Sequence, residues 1–454
     1  MTVFQKKAFR YYYWLVIEFF KKYGRLIAIS FFISFIAIIG FLSISPYIKV
    51  VLTKEEVIGL VGNYDLNNPP EELAAKISNG LVSISEKGEI IPVVANSWEV
   101  KKGGQEYRFH LKDNLLWGDG KKFATSDIKY QFEDITVKSI DERTIDFFLN
   151  KPLEIFPTYL NKPLLKYPLI GVAGYYKVGK IRTEYGYLKE VALTPNTKNI
   201  TPLRYKFYAN DSQLINAYKR GEISQMTITK KSIADTFLNW KNSTVSKSVD
   251  YSRLLTIFFN FKNPIFESKN LREALSMLID TEKLSEFGEV AKGSIQPISW
   301  AYNHDLKDSI YDLDTAKKII EKEVPTSESA KLNFVTFFDY YDVADGFVSE
   351  IEKAGLSANL NVASLDRPDN FDLFLAFLKV PVDPDQYYFW HSTQKVGNIG
   401  SYKNVKVDLL LEKGRSTINI EEREKNYFDL QKAMQDDPPA IFLYYPYVYT
   451  IKRK

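Results

Sequence analysis

The sequence predicts a mixed α/β protein standing behind one membrane-spanning helix. Three observations carry this: an uncharged apolar run near the N-terminus, strand and helix patterns alternating from residue 56 onward, and a strand-rich stretch over residues 81–150. At 454 residues, with 45% hydrophobic and 26% charged residues, the composition is that of a globular protein of two or three domains.

The apolar run is Leu26–Ile44, LIAISFFISFIAIIGFLSI, 19 residues without a charge. At about 1.5 Å per residue it reaches roughly 28 Å, close to the hydrocarbon thickness of a bilayer. Before it lie Lys6, Lys7, Arg10, Lys21, Lys22 and Arg25 against Glu18 alone, which places residues 1–25 in the cytoplasm and everything after residue 44 outside. The run is followed by SISPYIKV, without a small-x-small cleavage site, so a retained single-pass span is expected over a cleaved signal peptide. Residues 11–20, YYYWLVIEFF, fit either a helix lying in the membrane interface or an extension of the span.

The formal charge of +4 divides into +6 for residues 1–50 and −2 for the remainder. The basic character therefore belongs to the anchor, and no nucleic-acid partner is expected. The absence of cysteine excludes disulfides and thiolate metal sites, and leaves the redox compartment open.

Glu56–Val61, EVIGLV, reads as a strand; Asn67-Asn68-Pro69-Pro70 breaks the chain before a helix over Glu71–Ser78. Trp98 and Val100 alternate before Gly103-Gly104, and Tyr107, Phe109 and Leu111 alternate after it, the pattern of two half-buried strands joined by a glycine turn. Gly118-Asp119-Gly120 supplies a second turn, and Thr125-Ser126-Asp127 offers side-chain acceptors to a helix opening at Ile128. Period-2 alternation recurs over Asp141–Leu153. Leu203–Phe207, Asp211–Lys219 and Gly221–Thr227 then form a strand-helix-strand unit. From about Leu255 the alternation repeats, with the helix NLREALSMLI and strands at Lys331–Phe338 and Phe371–Phe377.

The block Ala95–Gln131, with Ile90-Ile91-Pro92 upstream, resembles the family 5 extracellular solute-binding proteins, the peptide- and nickel-binding receptors of ABC importers. Further similar stretches follow in the family's order at Phe258–Asp280, Gln296–Asn303, Tyr311–Ile320, Val382–Ser392 and Asn404–Tyr444, so the resemblance runs from about residue 57 onward. It implies a two-lobed periplasmic-binding-protein-like α/β fold with an extra domain. The first lobe would take residues 51–80 and 181–255 with a last strand near 445–454, the extra domain residues 81–180, and the second lobe residues 256–444. It also implies a ligand cleft between lobes that close by hinging. The lipid-modified cysteine that often tethers the family cannot exist here, so the span over residues 26–44 is the expected tether.

Catalysis finds no footing in the sequence. His110, His304 and His391 are scattered without metal-ligand spacing, no nucleophile elbow, phosphate loop or dinucleotide fingerprint is present, and Asp383 and Asp385 flank Pro384 as ordinary turn residues. No enzyme, cofactor or metal site is expected. Trp117, Trp300, Tyr302, Tyr388 and Trp390 stand in turn-rich segments, where each either lines a cleft or packs in a core. Family position favours the cleft for Trp300 and for Asp383–Trp390.

The resemblance also implies a carboxylate for a peptide's terminal ammonium three residues before the Asp-Pro pair, and here that position is Val380. Losing it weakens recognition of a free amino terminus, unless Asp383 or Asp385 substitutes. Ser224, in GEISQM, replaces an aspartate common in the family, and the chain's end at Lys454 comes earlier than usual, so the first lobe is expected to lack a terminal segment. Arg272 reads as a helix surface charge and Asp280 as a helix boundary. The expected ligand-binding set is Trp117, Asn260, Trp300, Tyr302, Val380, Asp383, Asp385, Tyr388 and Trp390. The expected function is that of a monomeric, membrane-tethered receptor delivering oligopeptides or a related solute to ABC permease subunits. The alternative is an envelope interaction or sensory protein that kept the fold without transport.

Overall fold

The computed structural model describes residues 3–52, 55–132, 134–324, 331–364 and 367–454, with side chains outside 3–11 and 42–52. Lys6, Lys7 and Arg10, the last three positions of the expected span, and residues 53–54 of the expected first lobe lie outside the described side chains or residues.

One helix, Val3–Leu52, runs without interruption through residues 11–20 and 26–44, so the aromatic segment continues the apolar helix. Within Tyr12–Phe41 an 18-residue window reaches a mean hydropathy of 2.1, and none of that window is buried against the rest of the protein.

A twelve-stranded sheet, counted among the described residues, is the largest sheet of the globular part. Glu56–Val61 lies parallel to both Leu203–Tyr208 and Gln225–Ile228, as strands joined through helices such as Asp211–Lys219 do. Farther along, Leu332–Phe337 lies parallel to Ala358–Ala363 and to Leu373–Lys379, which pairs antiparallel with Arg253–Phe259. Leu255, Ile257 and Phe259 face one fully buried core and Leu254 and Phe258 another, as expected of a strand covered on both faces.

The strand Ala440–Arg453 joins these halves. Its residues 440–444 pair with Arg253–Phe259, and residues 447–453 pair with Ser243–Val249 and, in part, Gln225–Ile228. Pro446, which has no N–H to donate, stands between the two sections, and its carbonyl accepts from Asp250 N (2.9 Å). The chain's other passage between halves, at Asp250–Ser252, therefore runs beside this one.

A separate four-stranded antiparallel sheet is built from Ala95–Lys101, Glu106–Leu111, Thr144–Leu149 and Ile135–Ser139. The expected hairpin is its first pair, with Trp98 opposite Phe109 and Val100 opposite Tyr107. Its turn holds Lys102, Gly103 and Gly104 at positive φ, which glycine adopts without steric cost. Tyr107, Phe109, Ile145, Phe147 and Phe156 fill the core beneath.

Two sequence expectations differ from the structure. Thr125–Asp127 forms a single 3₁₀ turn, and residues 128–132 are not helical. The Asp127 carboxylate is claimed by Ala124 N (3.0 Å) and by the distant Trp117 indole (3.1 Å), while Ile128 is already extended, so the capping chemistry closes a turn. Arg272 is not a surface charge but 3% exposed, donating to Pro438 O and Asp437 Oδ1, each at 2.5 Å. Ser224 bonds both the N–H and the carbonyl of Val57, tying two neighbouring strands together. Asp280 caps Thr281–Leu284 through Lys283 N (3.2 Å).

Candidate interlobe binding site

The segment after Leu373–Lys379 turns twice on its own carboxylates. Asp383 Oδ1 accepts from Asp385 N (3.0 Å) and Asp385 Oδ1 from Tyr387 N (3.1 Å), the side-chain turns that Asp residues around a proline favour. One helical turn, Tyr387–Trp390, follows. Trp390 is buried, stacked on Phe258 with its indole N–H on Gln386 Oε1 (2.9 Å). Tyr388 remains half exposed, and Val380 is buried with its N–H on Ser252 O.

Two helices, Val405–Ser416 and Ile420–Asp436, bring an arginine to each aspartate. Asn404 and Asn419 cap them. Arg423 donates to both oxygens of Asp383 (2.8 and 3.2 Å), and both residues are buried. Its guanidinium also lies over the rings of Trp300 (5.3 Å) and Tyr427 (5.4 Å). Arg415 donates from Nε to Asp385 Oδ2 (3.1 Å) and rests 4.1 Å from the Tyr387 ring, on which His391 also stacks. For Arg415, burial alone would depress the pKa, but Asp385 and Tyr159 reverse this and raise it.

Tyr159 and Gly88 bring the four-stranded unit and its neighbouring hairpin against this surface. Tyr159, from the turn Phe156–Asn161, donates to Asp385 Oδ2 (2.5 Å) and accepts from Arg415 Nη2 (2.5 Å). Burial first and the Asp385 charge second push its phenol far above the ordinary range, so the proton that it donates is retained. Gly88, at φ +77°, packs on the Trp300 indole, where an added Cβ would stand 2.2 Å from Nε1. That Nε1–H is buried and has no hydrogen-bond partner, a costly state for a donor unless something else occupies it. Lys379 and Glu71 form a third, solvent-exposed contact between the halves of the long sheet.

Of the expected residues, Trp300, Asp383, Asp385 and Tyr388 belong to this region, with Val380 and Trp390 packed beneath it. Trp117 instead lies in the core of the four-stranded unit, edge-on to Phe123. Asn260 holds Phe371 O (2.6 Å), and Tyr302 is buried edge-on to His304. Sequence reasoning missed Tyr159, Arg415 and Arg423; the two arginines stand in the last family-like stretch, eight residues apart, which is the one signal they offered. Cavities of about 330 and 370 Å³ lie within the second half of the long sheet and its helices, lined by residues such as Met277, Lys292 and Met434, and Leu278, Phe287 and Phe347. Among the described residues no cluster of three or more His, Cys, Asp or Glu is placed to hold a metal ion.

Two units of one sheet, joined by adjacent chain passages and touching again through side chains, define a two-lobed binding protein. Residues 89–399 match the bacterial extracellular solute-binding proteins, family 5 Middle, and the chain belongs to that family. It is similar to the oligopeptide-binding protein AppA of Bacillus subtilis, 25% identical over 275 residues, 53% of this chain and 50% of AppA. It is also similar to the probable D,D-dipeptide-binding periplasmic protein DdpA of Escherichia coli, 24% identical over 409 residues, 77% and 78% of the two chains. Two solved structures show the same fold. NikZ from Campylobacter jejuni in complex with Ni(L-His) has a TM-score of 0.71 at 24% identity, covering 88% of this chain and 94% of its own. AppA from Bacillus subtilis in complex with a nonapeptide has a TM-score of 0.69 at 19% identity, covering 88% and 94%.

Proposed function

We propose that this chain is the substrate-binding component of an ABC importer, and that it closes its lobes over an oligopeptide or a related solute. Membership of family 5 supports the receptor role. The observation that supports the position of the ligand is the contact of Tyr159 with Asp385 and Arg415, which joins the four-stranded unit to the second half of the long sheet. Trp300, Tyr388, Tyr159 and Arg415 are the residues proposed to meet the solute, with Asp383 and Asp385 fixing the arginines. An aromatic-lined cleft with backbone hydrogen bonding tolerates varied side chains, because the backbone is what it reads.

The uncovered apolar stretch Tyr12–Phe41 is proposed to hold the receptor at the membrane with its globular part outside the cytoplasm. ABC permease subunits are the proposed partners, and the globular part is proposed to act as a monomer.

The test uses the full-length chain in detergent. Mass spectrometry under native conditions identifies solutes carried through purification, and thermal unfolding is followed across a broad oligopeptide library. A ligand at a hundred times its Kd stabilises by about 2.7 kcal/mol, a readily measured shift. No carried solute and no stabilisation by any peptide would remove the receptor reading and favour an envelope protein that kept the fold without transport.

A further inference from the structure

The cavity of about 330 Å³ lies between the helices Lys269–Met277 and Ile420–Asp436, the start of the strand Ala440–Arg453 and the connecting stretch 291–310. Its volume stands near the lower end of small-molecule sites, about 300–1,000 Å³, and none of Tyr159, Trp300, Tyr388 and Arg415 lines it. It is therefore separate from the interlobe contact, whatever solute that contact takes.

Three glutamines pin its walls. Gln435 accepts from Lys307 N (3.1 Å) and donates to Lys307 O (2.9 Å), and Gln431 accepts from Asn303 N (3.2 Å) and donates to Ala301 O (2.8 Å). Gln386 donates to Ser294 O (2.7 Å). The stretch 291–310 is thus fastened to its surroundings through its backbone while the space beside it stays open, lined by Met277, Met434, Ile441 and Phe442.

Most polar side chains of the lining are committed. Glu273 pairs with Lys269 and Asp308 with Lys292, the two carboxylates being 38% and 78% exposed. Ser276 and Ser309 donate to the carbonyls of Arg272 and Ser276. Two donors are left without an oxygen. Ser294 is buried, and the acceptor that its hydroxyl has among the described residues is the Met434 thioether at 3.7 Å, a weak one. Lys307 is exposed, and among the described residues no carboxylate pairs with its ammonium. A buried donor short of an acceptor and a free cation, set beside an apolar wall, complement an anion with a hydrocarbon body.

We infer that this cavity is a second binding site, and that it takes a short aliphatic carboxylate. The carboxylate oxygens meet Ser294 Oγ–H and the Lys307 ammonium, and the chain lies against Met277, Met434 and Ile441.

Methionine supplies a local readout, since Met277 and Met434 line the cavity whereas Met226 lies in the core of the first lobe. The full-length chain in detergent, isotopically labelled at its methionine methyl carbons, is titrated by NMR with hexanoate, hexanol and hexylamine. Hexanoate is expected to shift the Met277 and Met434 signals saturably and to leave that of Met226, half-saturating at a concentration at least fivefold below either other probe. No saturable shift, an equal shift of Met226, or hexanol or hexylamine acting at the same or a lower concentration overturns the inference. Lys307→Met, at an exposed position, is expected to raise the half-saturating concentration of hexanoate at least fivefold and to leave that of hexanol unchanged. Ser294→Ala is expected to raise that of hexanoate at least threefold. A hexanoate response unaltered in either variant overturns the assignment, and should Ser294→Ala not fold, the Lys307 variant and the three probes on the unaltered chain remain decisive.

Discussion

Tyr159 and Asp385 lie 226 positions apart in the chain, yet the phenol oxygen of the first stands 2.5 Å from a carboxylate oxygen of the second. The bond spans two units with separate hydrophobic cores, while Asp385 also accepts from Arg415 on its own side of the contact. Tyr159 is therefore the group through which the proposed closure can be followed.

Tyr159→Phe removes the hydroxyl and little else. We expect a loss of about 1 kcal/mol from the closed state relative to the open one, a shift of about fivefold in their ratio. The chain has no cysteine, so a spin-label pair at Lys162→Cys and Lys413→Cys, both exposed, reads the interlobe distance without background thiols. An unchanged distance distribution would show that closure does not depend on this bond.

Gly88→Ala should open the same contact more completely. The new Cβ meets the Trp300 indole at 2.2 Å, and the residue sits at a positive φ that alanine adopts only with strain. Neither the indole nor the turn can yield without moving apart. The same label pair should lengthen, with Trp300 fluorescence shifting to the red as water reaches it; retention of the short distance would refute the steric argument.

Breaking the buried pair between Arg423 and Asp383 should affect folding rather than closure. Arg423→Met leaves a buried carboxylate without its partner and is expected to cost about 3–5 kcal/mol in denaturant unfolding. Adding Asp383→Leu removes the stranded charge, so the double variant should recover most of that loss. A double variant no more stable than the single one would mean that the pair acts through the Asp383 turn and not through its charge.

Acid should weaken the four-stranded unit through Asp146. Two bonds of 2.7 Å from Arg108 hold its carboxyl below the ordinary range, outweighing the burial that would raise it. A group with a depressed folded pKa stabilises at pH values above its unfolded pKa, near 3.9, and loses that contribution as pH falls through the folded value. Asp146→Asn should therefore cost about 1 kcal/mol at pH 7, a figure held low because Arg108 is partly solvated, and the deficit should shrink below about pH 4. A deficit of equal size at pH 7 and pH 3 in urea unfolding would assign the loss to packing.

Strands and helix starts were legible in the sequence because their causes are local. Alternation fixed the faces of Glu106–Leu111 and Thr144–Leu149, the Asn67–Pro70 break announced the helix at Glu71, and Asp280 stands at the helix boundary it was read as. Thr125-Ser126-Asp127 carries the same local signal and misleads, since the Trp117 indole ten residues away takes the cap. At the site, Asp383 and Asp385 drew attention through Pro384, but their state could not be read. The arginines that neutralise them are 40 and 30 positions distant, and helix faces rather than local spacing bring them in. Arg272 shows the same limit: its helix reads as amphipathic, and the acceptors that let a guanidinium enter the interior lie beyond residue 436.

The strand Ala440–Arg453 also sets an order of events during synthesis. Until it emerges, Gln225–Ile228 and Arg253–Phe259 each present an unpaired edge, and neither half of the long sheet has its central strand. Nearly the whole polypeptide must therefore be made before either lobe can close its core, so a nascent chain remains long in a state without finished tertiary structure. On the proposed membrane placement of the first helix, that delay would keep the chain threadable while it crosses.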